Sequence, residues 1–127
     1  MQRFTIPGRL EGLNAVIAAN RSNKFIGAKV KRESTTLCAM AIRAAKLRKV
    51  EHYPLTVCID WVEPNAKRDP DNIASGKKFI LDGLQTAGII ENDGQRQIRS
   101  LVDTFSVDRK NPRVVVSLYE CGEPVQR

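Results

Sequence analysis

The spacing of apolar residues along the chain changes period several times, and each change marks an element. Gln2 to Ile6 alternates loosely and predicts a first strand, stopped by Pro7-Gly8. Glu11 to Asn20 is helix-prone and is punctuated by Asn20-Arg21-Ser22-Asn23. Leu37, Met40, Ala41, Ala44 and Leu47 then recur at helical spacing behind Ser34, which reads as an N-cap. That helix has two possible starts further upstream, near Ser22 or just after a break at Gly27. Leu55 to Val62 is β-rich and closed by Pro64. A helix is predicted from about Pro70 to Ala87, ending at Gly88. Arg99 to Val107 and Arg113 to Tyr119 read as strands joined through Asp108-Arg109-Lys110-Asn111-Pro112, hence as a hairpin. The tail from Gly122 to Arg127 is expected to be loose.

This order predicts an α+β fold. One domain over 1–127 is expected, with a mixed or antiparallel sheet of about four strands and helices packed on one side. At 127 residues the chain is long enough to bury a core. No apolar run approaches a membrane span and the N-terminus lacks a secretory apolar stretch, so a cytoplasmic protein is expected. Cys38, Cys58 and Cys121 show no CxxC spacing, and His52 is the single histidine. This argues against both a disulfide framework and a Cys/His zinc site. Cys38 and Cys58 sit in apolar runs and read as core residues.

The formal net charge is +7, which favours a polyanionic partner. Aromatics make up only 6% of the chain, too few for a base-stacking platform. Duplex or branched nucleic acid held through its phosphates suits this balance better. Lys29, Lys31 and Arg32, with Arg43, Lys46 and Arg48, fall on the polar face of the second helix. They read either as a solvated face or as a phosphate-tracking one.

The densest chemistry lies in Lys67-Arg68-Asp69-Pro70-Asp71-Asn72, with two carboxylates between a strand and a helix. A helix cap followed by proline explains one aspartate well and two less well, while a D-x-D pair by itself is a weak metal motif that arises often by chance. On a wheel advancing about 100° per residue, Ser75, Lys78 and Asp82 share the side of Asp71, opposite Ile73, Ile80, Leu81 and Leu84. Lys77 falls in the apolar arc and would have to snorkel. Lys78 is therefore the outward cation, with an ion pair to Asp82 as its simplest role. Asp93, in Glu91-Asn92-Asp93-Gly94, is a turn residue by itself. It can return to Asp69 and Asp71 if the strand after it lies beside Leu55–Val62. Three hard oxygen donors suit Mg²⁺ or Mn²⁺, and such an ion with a nearby lysine suits phosphodiester cleavage. No phosphate-binding GxxxxGK[ST] loop, GxGxxG or nucleophile motif is present.

Arg68-Asp69-Pro70-Asp71-Asn72-Ile73, Lys77 to Leu84, Ala87-Gly88-Ile89-Ile90 and Asn92-Asp93 occur in the order of a D-x-D-N start, a helix lysine, a D-A-L-like segment, an A-G turn and an acidic loop. In these elements the chain resembles the RusA family of Holliday junction endonucleases. The resemblance implies a homodimer that resolves four-way DNA junctions in recombination and repair. Two nicks would be made with Mg²⁺, or Mn²⁺ in its place, and no organic cofactor. It implies metal ligation by Asp69, Asp71 and Asp93, and catalytic roles for these and Lys78 with Lys77 as alternate. The +7 charge and such a substrate together make Lys67, Arg68, Lys77, Lys29, Lys31 and Arg32, with Lys78, the expected DNA contacts. Ala74-Ser75-Gly76 is an insertion relative to the family, and Asn92 stands where some relatives have aspartate. The alternatives are a non-catalytic protein that binds branched DNA and a metal nuclease with broader flap or branch preference.

Overall fold

A computed structural model of the chain describes residues 1–126. Its elements are β1 (Gln2–Pro7), α1 (Leu13–Ser22), α2 (Lys24–Ala44), β2 (Leu55–Glu63), α3 (Pro70–Ala74), α4 (Lys77–Thr86), β3 (Ile98–Val107) and β4 (Arg113–Tyr119). The strands form one mixed sheet in the order β1-β4-β2-β3. β2 runs parallel to β3 and antiparallel to β4, and β4 is antiparallel to β1. The α+β architecture with four strands is therefore present. One cluster joins Phe4, Ile59, Trp61 and Val116 of the sheet to Ile42 of α2 and Ile80 of α4. Among the described residues no helix is long and apolar enough to cross a membrane.

Arg99–Val107 and Arg113–Tyr119 do not form a hairpin. β2 separates them, because β4 inserts between β2 and β1. Burial explains the choice. β2 is buried along nearly its whole length and needs a neighbour on both sides, and the apolar β4 (Val114, Val116, Leu118) is also largely buried. β3 carries Arg99, Ser100, Asp103, Thr104 and Ser106 and tolerates the edge. The parallel pairing of β2 and β3 requires a crossover, which α3 and α4 supply.

The helices also depart from expectation. Ser34 is not an N-cap; it is buried in the middle of α2. The cap is Asn23, whose side chain accepts from the Phe25 N–H at 2.7 Å. Gly27 does not break the helix. It lies against α1, and an added Cβ would meet the Asn20 side-chain oxygen at 1.7 Å. The predicted helix from Pro70 to Ala87 is two helices, interrupted at Ser75-Gly76. A Cβ on Gly76 would come within 3.2 Å of Leu10 and 3.3 Å of Trp61, so the break seats the chain on the core.

The tail is tethered as far as it is described. Glu123 pairs with the N-terminal ammonium, and the Tyr119 hydroxyl donates to the Gln126 carbonyl. Arg127 lies outside the described residues. Cys38 and Cys58 are buried, as expected, and Cys121 is exposed. Burial, with Asp82 adding to it, pushes the Cys38 thiol up to about 12, so it stays protonated and inert.

α2 and α4 cross closely at Gly83, where an added Cβ would meet Cys38 Cβ at 2.8 Å and the Ala39 nitrogen at 3.1 Å. Gly83→Ala is therefore expected to destabilise the protein by roughly 1–3 kcal/mol through overpacking, although alanine is the better helix former. Urea unfolding measures this; an unchanged or raised midpoint would show that the two helices separate without cost.

Candidate functional site

The Lys67–Asn72 segment leaves the C-terminal end of β2 and enters α3, and a buried ion pair fixes its path. Glu63, the last residue of β2, is buried. Arg68 grips it in a two-pronged pair, Nε to Oε1 and Nη2 to Oε2, both 2.8 Å. Its remaining Nη1 donates to the Leu10 carbonyl at 3.1 Å. Asn72 Oδ1 accepts from the Asn14 N–H at 3.0 Å, tying α3 to the start of α1. Gly12 makes room for both, since an added Cβ would sit 2.5 Å from Asn72 Oδ1 and 2.9 Å from Arg68 Nη1. The loop bearing the two aspartates is thus held at three points.

Neither aspartate is consumed by capping in the way a cap alone would require. Asp69 occupies the N-cap position of α3 but makes no side-chain cap hydrogen bond, with Pro70 following. Asp71 is exposed, and its Oδ1 accepts from the adjacent Asn72 N–H at 2.9 Å. Asp69 borders a groove with Pro70, Ile73, Phe105 and Val107, beside the C-terminal end of β3.

Asp93 stands elsewhere. It borders a second groove with Leu81, Ile98, Arg99 and Leu101, beside the N-terminal half of β3. From Leu101 to Phe105 the strand advances about 13 Å at ~3.3 Å per residue. The expected gathering of Asp69, Asp71 and Asp93 is not present in the single subunit. Among the described residues no three His, Cys, Asp or Glu side chains are grouped to hold a metal ion. The strand after Asp93 does lie beside β2, as that expectation required, but parallel to it. Parallel pairing puts the residue preceding β3 and the residues following β2 at opposite ends. The carboxylates have the donor chemistry for a hard cation; their arrangement in one subunit does not fit one.

Lys78 and Asp93 are brought together. Lys78 Nζ lies 3.0 Å from Asp82 Oδ1 and 3.9 Å from Asp93 Oδ2. The hydrogen bond and charge of Asp82, and more weakly the charge of Asp93, hold the Lys78 ammonium above its ordinary pKa. Lys78 is the outward cation, with its side chain 67% exposed, and a cleft between α1, α2 and α4 sets Lys31 and Ser75 beside it. The apolar-arc lysine, Lys77, does not snorkel to water. Its Nζ meets Asp103 Oδ2 at 2.6 Å, and Asp103 Oδ1 accepts from the Trp61 indole at 2.8 Å. Asp103 went unrecognised in the sequence because a single aspartate within a strand carries no motif.

The expected DNA contacts divide in the same way. Lys67, Lys31 and Arg32 are exposed, and Lys29 is exposed beside Glu33 at 3.8 Å. Arg68 and Lys77 are engaged in the ion pairs just described and hold the fold. Neither the known protein-family models nor the curated proteins give a match to this chain.

Removing Arg68 would leave Glu63 charged and buried, with Arg9 at 3.6 Å as its nearest remaining cation. Arg68→Ala is expected to cost about 3–5 kcal/mol of stability. Lys67→Ala, at an exposed position, should stay within about 0.5 kcal/mol. Denaturant unfolding of the two variants compares them; equal midpoints would remove the ion pair from its structural role.

Proposed function

We propose that the chain is a structure-specific DNA endonuclease of the RusA type. It would cut four-way junctions in pairs as a homodimer, with Mg²⁺ or Mn²⁺ as its ion. The observation that carries this reading is the Asp69–Asn72 loop. Arg68, Asn72 and Gly12 hold it rigidly, yet the Asp69 carboxylate does no capping work and Asp71 faces solvent. A segment held this firmly while displaying two carboxylates suits a site for chemistry better than a helix start. The nearness of Lys78 to Asp93 adds support, since the motif resemblance pairs these two residues in one centre. The +7 charge and the exposed Lys29, Lys31, Arg32 and Lys67 supply an attraction for phosphate that the acidic centre lacks.

A second reading, a protein that binds branched DNA without cutting it, is favoured by the separation of Asp93 from Asp69 within one subunit. Cleavage and binding of one synthetic four-way junction distinguish the two. Asp71→Asn is expected to abolish cleavage in Mg²⁺ and leave junction binding intact or tighter, because the carboxylate serves the reaction and the cations serve affinity. Binding should fall steeply with salt, the log–log slope steepening by about 0.9 per phosphate neutralised. Cleavage by Asp71→Asn at the native rate would remove Asp71 from the centre. Junction binding without cleavage by the native chain in either ion would leave the binding protein as the function.

A further inference from the structure

α1 and the first half of α2 stand largely outside the core. Among the described residues, α1 contributes no buried side chain, and α2 buries only Gly27 ahead of Ser34. The core cluster takes Cys38 and Ile42 from the far half of α2. Gly27 lies against Asn20, while Val16 and Lys31 line one cleft, so the two helices run antiparallel from the turn at Asn23. The root of this arm is tied to the acidic loop through Asn14 and Asn72. At ~1.5 Å per residue, the turn stands about 13 Å along α1 from that root.

Charge and apolar exposure concentrate on the arm. From Gly12 to Arg32 the chain has five Lys or Arg and no Asp or Glu, within a net +7 for the whole. Phe25, at the tip, is 74% exposed, more than any other large apolar side chain among the described residues. Lys24 Nζ lies 5.6 Å from the centre of its ring, which leaves the opposite ring face to solvent. Along α2, Phe25, Lys29 and Arg32 recur at i, i+4 and i+7, on the side away from the inward-facing Gly27 and Ser34. All three are exposed, with Lys29 drawn toward Glu33 at 3.8 Å. The stripe spans about 10 Å, roughly three base steps of one DNA strand at ~3.4 Å each.

We propose that the α1–α2 arm recognises the branch in the DNA. Lys29 and Arg32 hold phosphates of one strand, and Phe25 stacks on a base that the branch point leaves uncovered. This rests on the reading of branched DNA as the substrate.

The chemistry of the tip separates this occupant from others. Along a continuous duplex each base is covered by its neighbours, so a ring at the tip would meet only sugar and phosphate. At a branch point the stack is interrupted and a flat apolar base face is open. Stacking on one aromatic ring tolerates any base, so the contact reads the branch and not the sequence. A lipid surface calls for a wide apolar face, whereas the residues that follow Phe25 on its side of α2 are cations. A second copy of the arm would set five positive charges against five. With the acidic loop at the root and the ring at the tip, one branch lies within reach of both.

Binding of a four-way junction, and of a linear duplex with the sequence of one arm, tests this on the full chain. EDTA is present, so that cleavage plays no part. Phe25→Ala is expected to lose about tenfold in junction affinity and nothing on the duplex. Phe25→Trp is expected to keep the preference, and its added indole to be quenched by the junction but not by the duplex. Phe25→Leu, apolar but not flat, is expected to fall with the alanine variant. Arg32→Ala is expected to weaken binding of both DNAs alike and to make the log–log salt slope shallower by about 0.9.

A Phe25→Ala chain that prefers the junction as strongly as the native one overturns the stacking, and so does Phe25→Leu with native affinity. An unchanged salt slope in Arg32→Ala overturns the phosphate contact. Native protein that floats with phosphatidylserine vesicles, and loses this in Phe25→Ala while junction binding holds, gives the tip to a lipid surface instead. Loss of self-association in Phe25→Ala, with the junction preference intact, gives it to a second copy. A native chain that binds the junction no better than the duplex overturns the branched substrate and the stacking with it, while the Arg32→Ala slope still decides the phosphate contact.

Discussion

β2 is apolar on successive positions rather than alternate ones, and the whole arrangement follows from burying it. Leu55, Val57, Cys58, Ile59, Trp61 and Val62 are all buried. A strand buried on both faces needs hydrogen-bonded neighbours along both edges. β4 takes one edge with its valines and leucine, and β3 takes the other. Because β3 follows β2 through a helical crossover, the two run parallel, and that direction fixes everything chemical in the molecule. The residues after β2, Asp69 and Asp71, leave from one end of the sheet. The residue before β3, Asp93, arrives at the other.

The charged groups nearest this core are structural before they are functional. Glu63 is buried, and the two-pronged Arg68 makes its burial tolerable. The pair draws the Asp69–Asn72 loop down against Leu10 and Gly12, so the contact that satisfies the Glu63 carboxylate also orients the candidate carboxylates. Lys77 and Asp103 act similarly at the seam between α4 and β3, joined to the Trp61 indole. The adjacent lysine has the contrasting role. Lys78, one residue on, faces outward between Asp82 and Asp93. Two neighbouring lysines with the same intrinsic chemistry are separated by about 100° of helix rotation into a core clamp and a surface cation.

The break at Ser75-Gly76 has a comparable origin. A continuous helix from Pro70 would have to pass a Cβ at residue 76 between Leu10 and Trp61. Glycine removes that Cβ, and the chain turns there into a second helix. Ala74-Ser75-Gly76, which lengthens the path from Asp71 to Lys78, therefore falls where the core forces a bend.

Local pattern reached most of the elements and several site residues. Periodicity identified β1, α1, β2 and the two last strands, because alternation and helical spacing are properties of neighbouring residues. The helical wheel separated Lys78 from Lys77, because both lie within one helix. The motif order marked Asp69, Asp71 and Asp93. What the sequence could not reach depends on residues far apart in the chain. The capping of α2 by Asn23 in place of Ser34 follows from where α1 stops and packs. The insertion of β4 between β1 and β2 follows from competition among strands for the buried position. The engagement of Lys77 follows from Asp103, which only the fold brings near, and that of Arg68 from the turn after β2, which folds it back onto the buried Glu63. By itself the sequence determined an α+β chain with an acidic motif between a strand and a helix and a basic surplus, since these are written in composition and short-range order. Only the tertiary structure decided which cations stay exposed and which carboxylates share an end of the sheet, because strand direction and burial are settled by the whole core at once.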